Sequence, residues 1–243
     1  MITKSIPNLF TLGNLFLGML AMMLALDGRY SLAAIMVIVA MLLDGLDGRV
    51  ARALNCSSEF GKQLDSLSDV ISFGVAPALI MYLISFQSLP QTGLVWVVTA
   101  LFPMCGALRL ARFNVHKGIP GYFIGLPIPA AGGVVATLSL FSKDISALYL
   151  MISMILLSYL MVSSVKYPNF KKVGLPKKAL IFTPFVVLLA VMIAVIFPEQ
   201  ISKLIFVPLV LYAGYGLRQN VRKLLRRKRR EEEDPERIYK PKR

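Results

Sequence analysis

The hydrophobic positions of the chain form long continuous runs, without the strict alternation of exposed strands. Many runs reach about 20 residues, the length of helix that crosses a hydrocarbon core of roughly 30 Å. We interpret them as transmembrane helices at approximately 8–26, 31–54, 61–87, 91–115, 127–142, 145–165, 178–197 and 200–217. The pattern predicts an all-α polytopic membrane protein with about eight transmembrane helices.

Turn-forming residues mark the breaks between these runs. Asp27-Gly28-Arg29 separates the first two, and the segment 118–129 is rich in Gly and Pro. Pro7, Pro127 and Pro198 are expected at helix starts, where the fixed φ of proline is tolerated. The weakest boundary is at 143–144, because spans five and six could also form one long broken helix, which would change the span count.

Composition and charge agree with a membrane location. The chain is 56% hydrophobic and carries a net charge of +14. Its basic residues lie between the apolar runs and at the C-terminal end, which indicates membrane topology rather than nucleic-acid binding. With the N-terminus inside, only Arg29, Lys143 and Lys203 of the 27 Lys and Arg residues fall outside. We therefore expect both termini in the cytoplasm, a transmembrane domain at 1–217 and a charged cytoplasmic tail at 218–243.

Four aspartates interrupt the apolar pattern at membrane depth. Asp44 and Asp47 lie in the inner half of span two, and Asp65 and Asp69 lie in the inner half of span three. The i, i+3 and i, i+4 spacings put each pair on one helix face. A short connection makes the two helices antiparallel neighbours, so we expect the acidic faces to converge.

Converging carboxylates predict a cation site. Four of them in one cavity cannot all stay ionised without positive charge nearby. Oxygen-only ligands select hard divalent ions such as Mg²⁺ or Mn²⁺, and two such ions suit phosphoryl transfer. The alternatives are that Arg49, Arg52 and Lys62 neutralise the acids, or that the acids line the cation path of a transporter.

The same residues resemble the signature of the CDP-alcohol phosphotransferases. That pattern is D-x-x-D-G-x-x-A-R, a spacer of about eight, then G-x-x-x-D-x-x-x-D, and every fixed position matches between Asp44 and Asp69. The resemblance implies a homodimer with a six-helix core, so the eight helices would be six plus an extra pair. It also implies that two divalent metal ions, Mg²⁺ or Mn²⁺, bind to the four aspartates, and that Asp69 is the general base. Residues close to the CDP group would be Gly48, Ala51, Arg52 and Gly61.

Further segments resemble the phosphatidylserine synthase branch of that family. They are 6–11 with Asn14, 108–114, 125–131 and 163–167. This resemblance implies transfer of a phosphatidyl group from a CDP-linked lipid, CDP-diacylglycerol or CDP-archaeol, to L-serine, with release of CMP. Glycerol phosphate or inositol phosphate as acceptor, and a non-catalytic membrane protein, remain alternatives. The active site would lie in the cell membrane and open to the cytoplasmic side.

Polar residues of the first span form the predicted nucleotide site. We expect Asn8, Thr11 and Asn14 to bind the nucleotide. The alternative for Asn8 and Thr11 is that they satisfy free backbone N–H groups at the start of the first helix. Asn14 lies inside an apolar helix, where capping cannot explain it.

Basic residues farther along the chain are candidates for binding the acceptor or a phosphate. Arg109 and Arg112 are three apart on span four, and a guanidinium matches carboxylate and phosphate geometry. Lys166 lies at the cytoplasmic end of span six. The alternative for all three is that they are topology or interface anchors.

Overall fold

The structure of the protein is a computed structural model. It describes residues 2–53, 58–90, 92–115 and 122–168, together with residue 214. Most of the described chain is helical. The helices are α1 (Ile2–Leu26), α2 (Tyr30–Ala53), α3 (Glu59–Asp69), α4 (Ala76–Met81), α5 (Thr92–Val115), α6 (Ile128–Leu140) and α7 (Ala147–Val162). The described residues also contain two short strands, β1 (Tyr122–Ile124) and β2 (Lys166–Pro168).

The third predicted span is one continuous helical rod with two wider turns. A π-helical turn at Val70–Val75 joins α3 to α4, and a second at Tyr82–Phe86 follows α4. Such turns insert extra backbone into a helix and occur often at functional sites. The first of them begins directly after Asp69, so the predicted site and the irregular backbone adjoin.

The apolar helices agree with the first six predicted spans. Helices long and apolar enough to cross a membrane, within the described ranges, are Pro7–Leu26, Glu59–Phe86 and Gly93–Val115. Shorter apolar helices are Tyr30–Leu46, Ile128–Leu140 and Ala147–Val162. The predicted spans 178–197 and 200–217 and the tail 218–243 lie outside the residues described apart from residue 214, so the count of eight stays a prediction. A turn between α6 and α7 separates spans five and six.

The first helix begins earlier than predicted. It starts at Ile2 and contains Pro7, whereas proline was expected at the helix start. A proline so near the N-terminus removes only one intrahelical N–H bond, so apolar packing of the rest of the helix outweighs the loss. The alternative that Asn8 and Thr11 cap the start of this helix is therefore wrong.

The expectation of a purely helical fold is wrong in one detail. The strands β1 and β2 pair antiparallel, with Phe123 opposite Tyr167 and Ile124 opposite Lys166. Three residues are too few to show an alternating pattern in the sequence. The pairing depends on α6 and α7, whose hairpin returns the chain to β1.

The turn between α1 and α2 uses a glycine in the left-handed region. Gly28 has φ +75°. Its N–H donates to the carbonyl of Ala25 at 3.0 Å, and Arg29 N–H donates to the carbonyl of Leu24 at 2.8 Å. This pair of bonds is the Schellman arrangement that ends helices. It turns α2 back along α1.

Small residues let the helices meet closely around the first π-helical turn. A Cβ at Gly18 of α1 would overlap Ser72, and a Cβ at Gly132 of α6 would overlap the backbone of Phe73. Close backbone approach through small residues is the usual way in which membrane helices pack. Both contacts hold the turn that follows Asp69 between α1 and α6.

Candidate active site

The predicted convergence of the acidic faces is confirmed for three of the four aspartates. Asp44 of α2 and Asp65 and Asp69 of α3 each place a carboxylate oxygen within 4.8 Å of the others. Asp69 is buried, with 6% of its surface exposed, and the other two are half-buried. The side chain of Asp47 lies outside those described. Residues of α2 and α3 therefore build an acidic site, as the spacing indicated.

Local sequence explains where α3 begins. Ser58 is its N-cap, and the Ser58 hydroxyl accepts a hydrogen bond from the N–H of Gly61 at 3.0 Å. Lys62 pairs with Glu59 at 3.2 Å on the exposed surface. The charge of the Lys62 ammonium is therefore paired with the Glu59 carboxylate, one helical turn before it. The side chains of Arg49 and Arg52, and that of Ala51, lie outside those described.

The three carboxylates fit a divalent cation. Two full charges no more than 4.8 Å apart repel by at least roughly 3 kcal/mol at an effective dielectric constant of about 20. A bound cation removes this repulsion, and an oxygen-only donor set suits Mg²⁺ or Mn²⁺ rather than a softer metal. Asp44, Asp65 and Asp69 are the described residues able to hold such an ion.

Helix α1 runs alongside α3 and brings two predicted nucleotide residues to it. Gly61 faces Asn8, since a Cβ on Gly61 would lie 3.0 Å from Asn8 Oδ1. Farther along, Nδ2 of Asn14 donates to Oδ1 of Asp69 at 3.5 Å. Thr11 lies between them and is buried, and its hydroxyl donates to the carbonyl of Pro7 at 3.1 Å. Gly48 of α2 is half-buried.

Ser72 is a contact of this site that sequence reasoning missed. Its hydroxyl donates to the backbone carbonyl of Asn14 at 2.9 Å, and its side chain is buried. Ser68 is buried as well, and its hydroxyl has no hydrogen-bond partner among the residues described. The available signal was the position of these serines, with Ser68 directly before Asp69 and Ser72 one turn after it.

Arg109 is buried against aromatic rings. Its guanidinium carbon lies 6.0 Å from the centroids of both Phe113 and Phe123, and 6% of the residue is exposed. Phe113 lies one turn farther along α5, and Phe123 belongs to β1. The strand pair therefore supplies one wall of the arginine's environment.

Arg112 points to the end of α7. Its NH1 group donates to the carbonyl of Val162 at 2.8 Å, and NH2 donates to Met161 and Ser163, both at 3.3 Å. These carbonyls belong to the helix end, where intrahelical donors are lacking. The two arginines that sequence spacing grouped together thus have different surroundings. Lys166 lies on β2 and is exposed.

Asn114 is a second contact that sequence reasoning missed. Its Nδ2 donates to Ser66 Oγ at 2.9 Å and to Gln63 Oε1 at 3.4 Å. Ser66 directly follows Asp65, so this amide joins the end of α5 to the acidic helix. Asn114 lay in a segment noted only for its resemblance.

Comparison with known proteins identifies the family. The family model described as CDP-alcohol phosphatidyltransferase matches residues 4–215. The chain belongs to this family. The match confirms the family that the aspartate signature indicated, and it includes every candidate residue from Asn8 to Lys166.

Relatives of the CDP-alcohol phosphatidyltransferase family carry serine-specific names. A CDP-diacylglycerol–serine O-phosphatidyltransferase of Helicobacter pylori is 42% identical over 219 residues, covering 87% of this chain and 89% of its own. A CDP-diacylglycerol–serine O-phosphatidyltransferase of Bacillus subtilis is 40% identical, covering 69% of this chain and 92% of its own. An archaetidylserine synthase of Methanothermobacter thermautotrophicus is 40% identical, covering 70% and 72%.

Proposed function

We propose that the protein is a membrane transferase that moves a phosphatidyl-type group from a CDP-linked lipid to L-serine and releases CMP. The observation that carries the proposal is the convergence of Asp44, Asp65 and Asp69 within 4.8 Å. Family membership supports phosphatidyl transfer as the reaction at these acids. The serine-specific names of relatives at 40–42% identity support serine as the acceptor.

Asp69 is the general base in this proposal. Its carboxylate accepts the proton of the serine hydroxyl, and the serine oxygen forms a bond to the lipid-linked β-phosphorus. The bond between that phosphorus and the bridging oxygen breaks, and CMP leaves with the electron pair. A direct attack is the simplest scheme. Burial of Asp69 supports its role as the base, because a buried carboxylate is shielded from competing water.

Asp44, Asp47, Asp65 and Asp69 would hold two divalent ions. Bound there, Mg²⁺ or Mn²⁺ would neutralise charge on the diphosphate and on the departing CMP. The fit of three of these carboxylates to an oxygen-preferring cation supports the assignment.

The nucleotide would lie along α1 and the start of α3. The contact between Asn8 and Gly61 supports this, because the lack of a side chain at Gly61 lets the Asn8 amide, which can bind the base or ribose, approach the start of α3 closely. Thr11, Gly48, Ala51 and Arg52 complete the proposed CDP site.

The serine carboxylate would bind near Arg109, the buried guanidinium beside Phe113 and Phe123. A buried arginine gains from an anionic ligand more than an exposed one does. Arg112 and Lys166 complete the proposed acceptor and phosphate site. The remainder of the proposal is the arrangement in the membrane: eight spans, cytoplasmic termini, a cytoplasm-facing site and a homodimer.

The experiment is CMP release by the purified full-length protein in detergent, with Mg²⁺ or Mn²⁺. CDP-diacylglycerol and CDP-archaeol are tested as donors, and L-serine, glycerol phosphate, inositol phosphate or no acceptor are compared. We expect release only with serine. Asp69→Asn is the matched variant, and we expect it to lose about 10²- to 10⁴-fold in kcat. Release with another acceptor would contradict the serine assignment.

A further inference from the structure

Asn14 is a polar residue in an apolar environment. It lies in the membrane-length segment Pro7–Leu26, and none of its surface is exposed. A buried amide in an apolar helix destabilises the fold unless other protein groups bond to it. The contacts of Asn14 therefore indicate what it does.

The side chain of Asn14 contacts one carboxylate of the acidic site. Its Nδ2 lies 3.5 Å from Oδ1 of Asp69, which is long for an N–H···O bond. Such a contact orients the carboxylate without neutralising its charge. Outer hydrogen bonds of this kind set the direction of the carboxylate oxygens at metal sites.

Further contacts hold α1 in register with the helix that carries Asp69. The Ser72 hydroxyl donates to the backbone carbonyl of Asn14 at 2.9 Å. One turn later, Gly18 lies so close to Ser72 that a Cβ would overlap its backbone and side chain. Because Ser72 belongs to the π-helical turn that follows Asp69, these contacts fix Asn14 and Asp69 relative to each other.

The contact with Asp69 determines which atom of the Asn14 amide could meet a ligand. With Nδ2 directed to Asp69, that atom is Oδ1. Oδ1 of Asn14 is buried and has no hydrogen-bond partner among the described residues. Turning the amide to offer its N–H groups to a nucleotide would break the contact with Asp69. The observed orientation thus favours a role toward the carboxylate.

We infer that Asn14 is a positioning residue for the Asp69 carboxylate, and that Ser72 and Gly18 hold it in place. The catalytic meaning of this role rests on the proposed function, in which Asp69 is both ligand and base. The inference separates Asn14 from Asn8, which faces Gly61 and keeps the assignment to the nucleotide.

The test uses Asn14→Ala and Asn14→Leu in the full-length protein, with Ser158→Ala as control. Ser158 is similarly buried, but among the described residues its hydroxyl bonds within α7, to the carbonyl of Met154 at 2.7 Å. Mn²⁺ binding is measured by electron paramagnetic resonance without nucleotide, and kcat and KM are measured with CDP-diacylglycerol and serine. We expect a roughly 10- to 100-fold loss in Mn²⁺ affinity and in kcat, with little change in the donor KM.

A raised donor KM with unchanged Mn²⁺ affinity and kcat would overturn the inference and make Asn14 a nucleotide ligand. Normal values throughout would also overturn it. If Asn14→Ala does not fold, Asn14→Leu, which keeps a side chain branched at Cγ, decides between these results. If the unaltered protein releases no CMP but Asn14→Ala still weakens Mn²⁺ binding, the proposed function fails and the positioning role stands.

Discussion

The guanidinium of Arg112 on α5 donates to the backbone carbonyl of Val162, 2.8 Å away, at the end of α7. Beside this contact, Leu126 N–H donates to the carbonyl of Leu160 at 3.0 Å, and Gly125 N–H donates to Val165 at 2.8 Å. Carbonyl groups at the end of α7 and just after it therefore accept hydrogen bonds from α5 and from the chain that follows β1. This junction connects the strand pair to the helices.

Removing the Arg112 guanidinium is expected to destabilise the protein. Hydrogen bonds from a charged donor contribute about 1.5 to 3 kcal/mol each, so Arg112→Ala should lower the apparent Tm in detergent by several degrees. Arg29→Ala, at an exposed loop arginine, is the control and should melt like the unaltered protein. An unchanged Tm for Arg112→Ala would show that these bonds contribute little.

Arg109 is expected to affect the acceptor more than the donor. Arg109→Ala should raise the KM for serine more than the KM for CDP-diacylglycerol, because it removes the buried cation proposed for the serine carboxylate. Steady-state kinetics with each substrate varied in turn measures this difference. Phe123→Leu is a useful companion, since it alters a ring beside Arg109 and keeps the charge. Equal effects of Arg109→Ala on both KM values would contradict the acceptor role.

Metal binding is expected to depend on both acidic helices. Asp44→Asn and Asp65→Asn each remove one charge from the cluster with little change in shape. Each should weaken Mn²⁺ binding by at least about tenfold, since even residues that only support ligands cost that much. Asp144→Asn, at an exposed position in the turn before α7, is the control. Chelation with EDTA should abolish CMP release, and added Mg²⁺ or Mn²⁺ should restore it.

A side chain at position 28 is expected to destabilise the protein. Its φ of +75° is strained for any L-residue, although no atom lies within 4 Å of a Cβ there. Gly28→Ala should destabilise the protein by about 1 to 2 kcal/mol. Gly93→Ala is the matched control, because that glycine is helical and also has open space around it. Apparent Tm values of the two variants in detergent should differ, and equal values would exclude backbone strain as the cause.

Much of the fold was predictable because it depends on local composition. The bounds of α2 and α5 agree closely with the predicted runs, since long apolar stretches in a membrane must form hydrogen-bonded helices. The start of α1 was not predicted correctly, because a proline near a helix N-terminus is compatible with several start positions. The β1–β2 pair was not predicted either, since its partners meet only after α6 and α7 have packed.

The candidate site likewise has features that the sequence predicted and features that it did not. The periodicity of Asp44, Asp65 and Asp69 and the short connection between their helices were sufficient to predict that their carboxylates converge. Helical spacing also grouped Arg109 with Arg112, but it carries no information about which neighbours each side chain meets. Their separate surroundings depend on β1 and on the end of α7.

The sequence by itself determined the apolar helices, the acidic faces and the family, because each is encoded by residues close together along the chain. Only the tertiary structure decided that Asn14 meets Asp69, that Ser72 bonds to Asn14, and that Arg112 closes α7. The physical reason is that these are single hydrogen bonds between distant segments. Their partners are selected by helix register and close packing, which a local pattern does not specify.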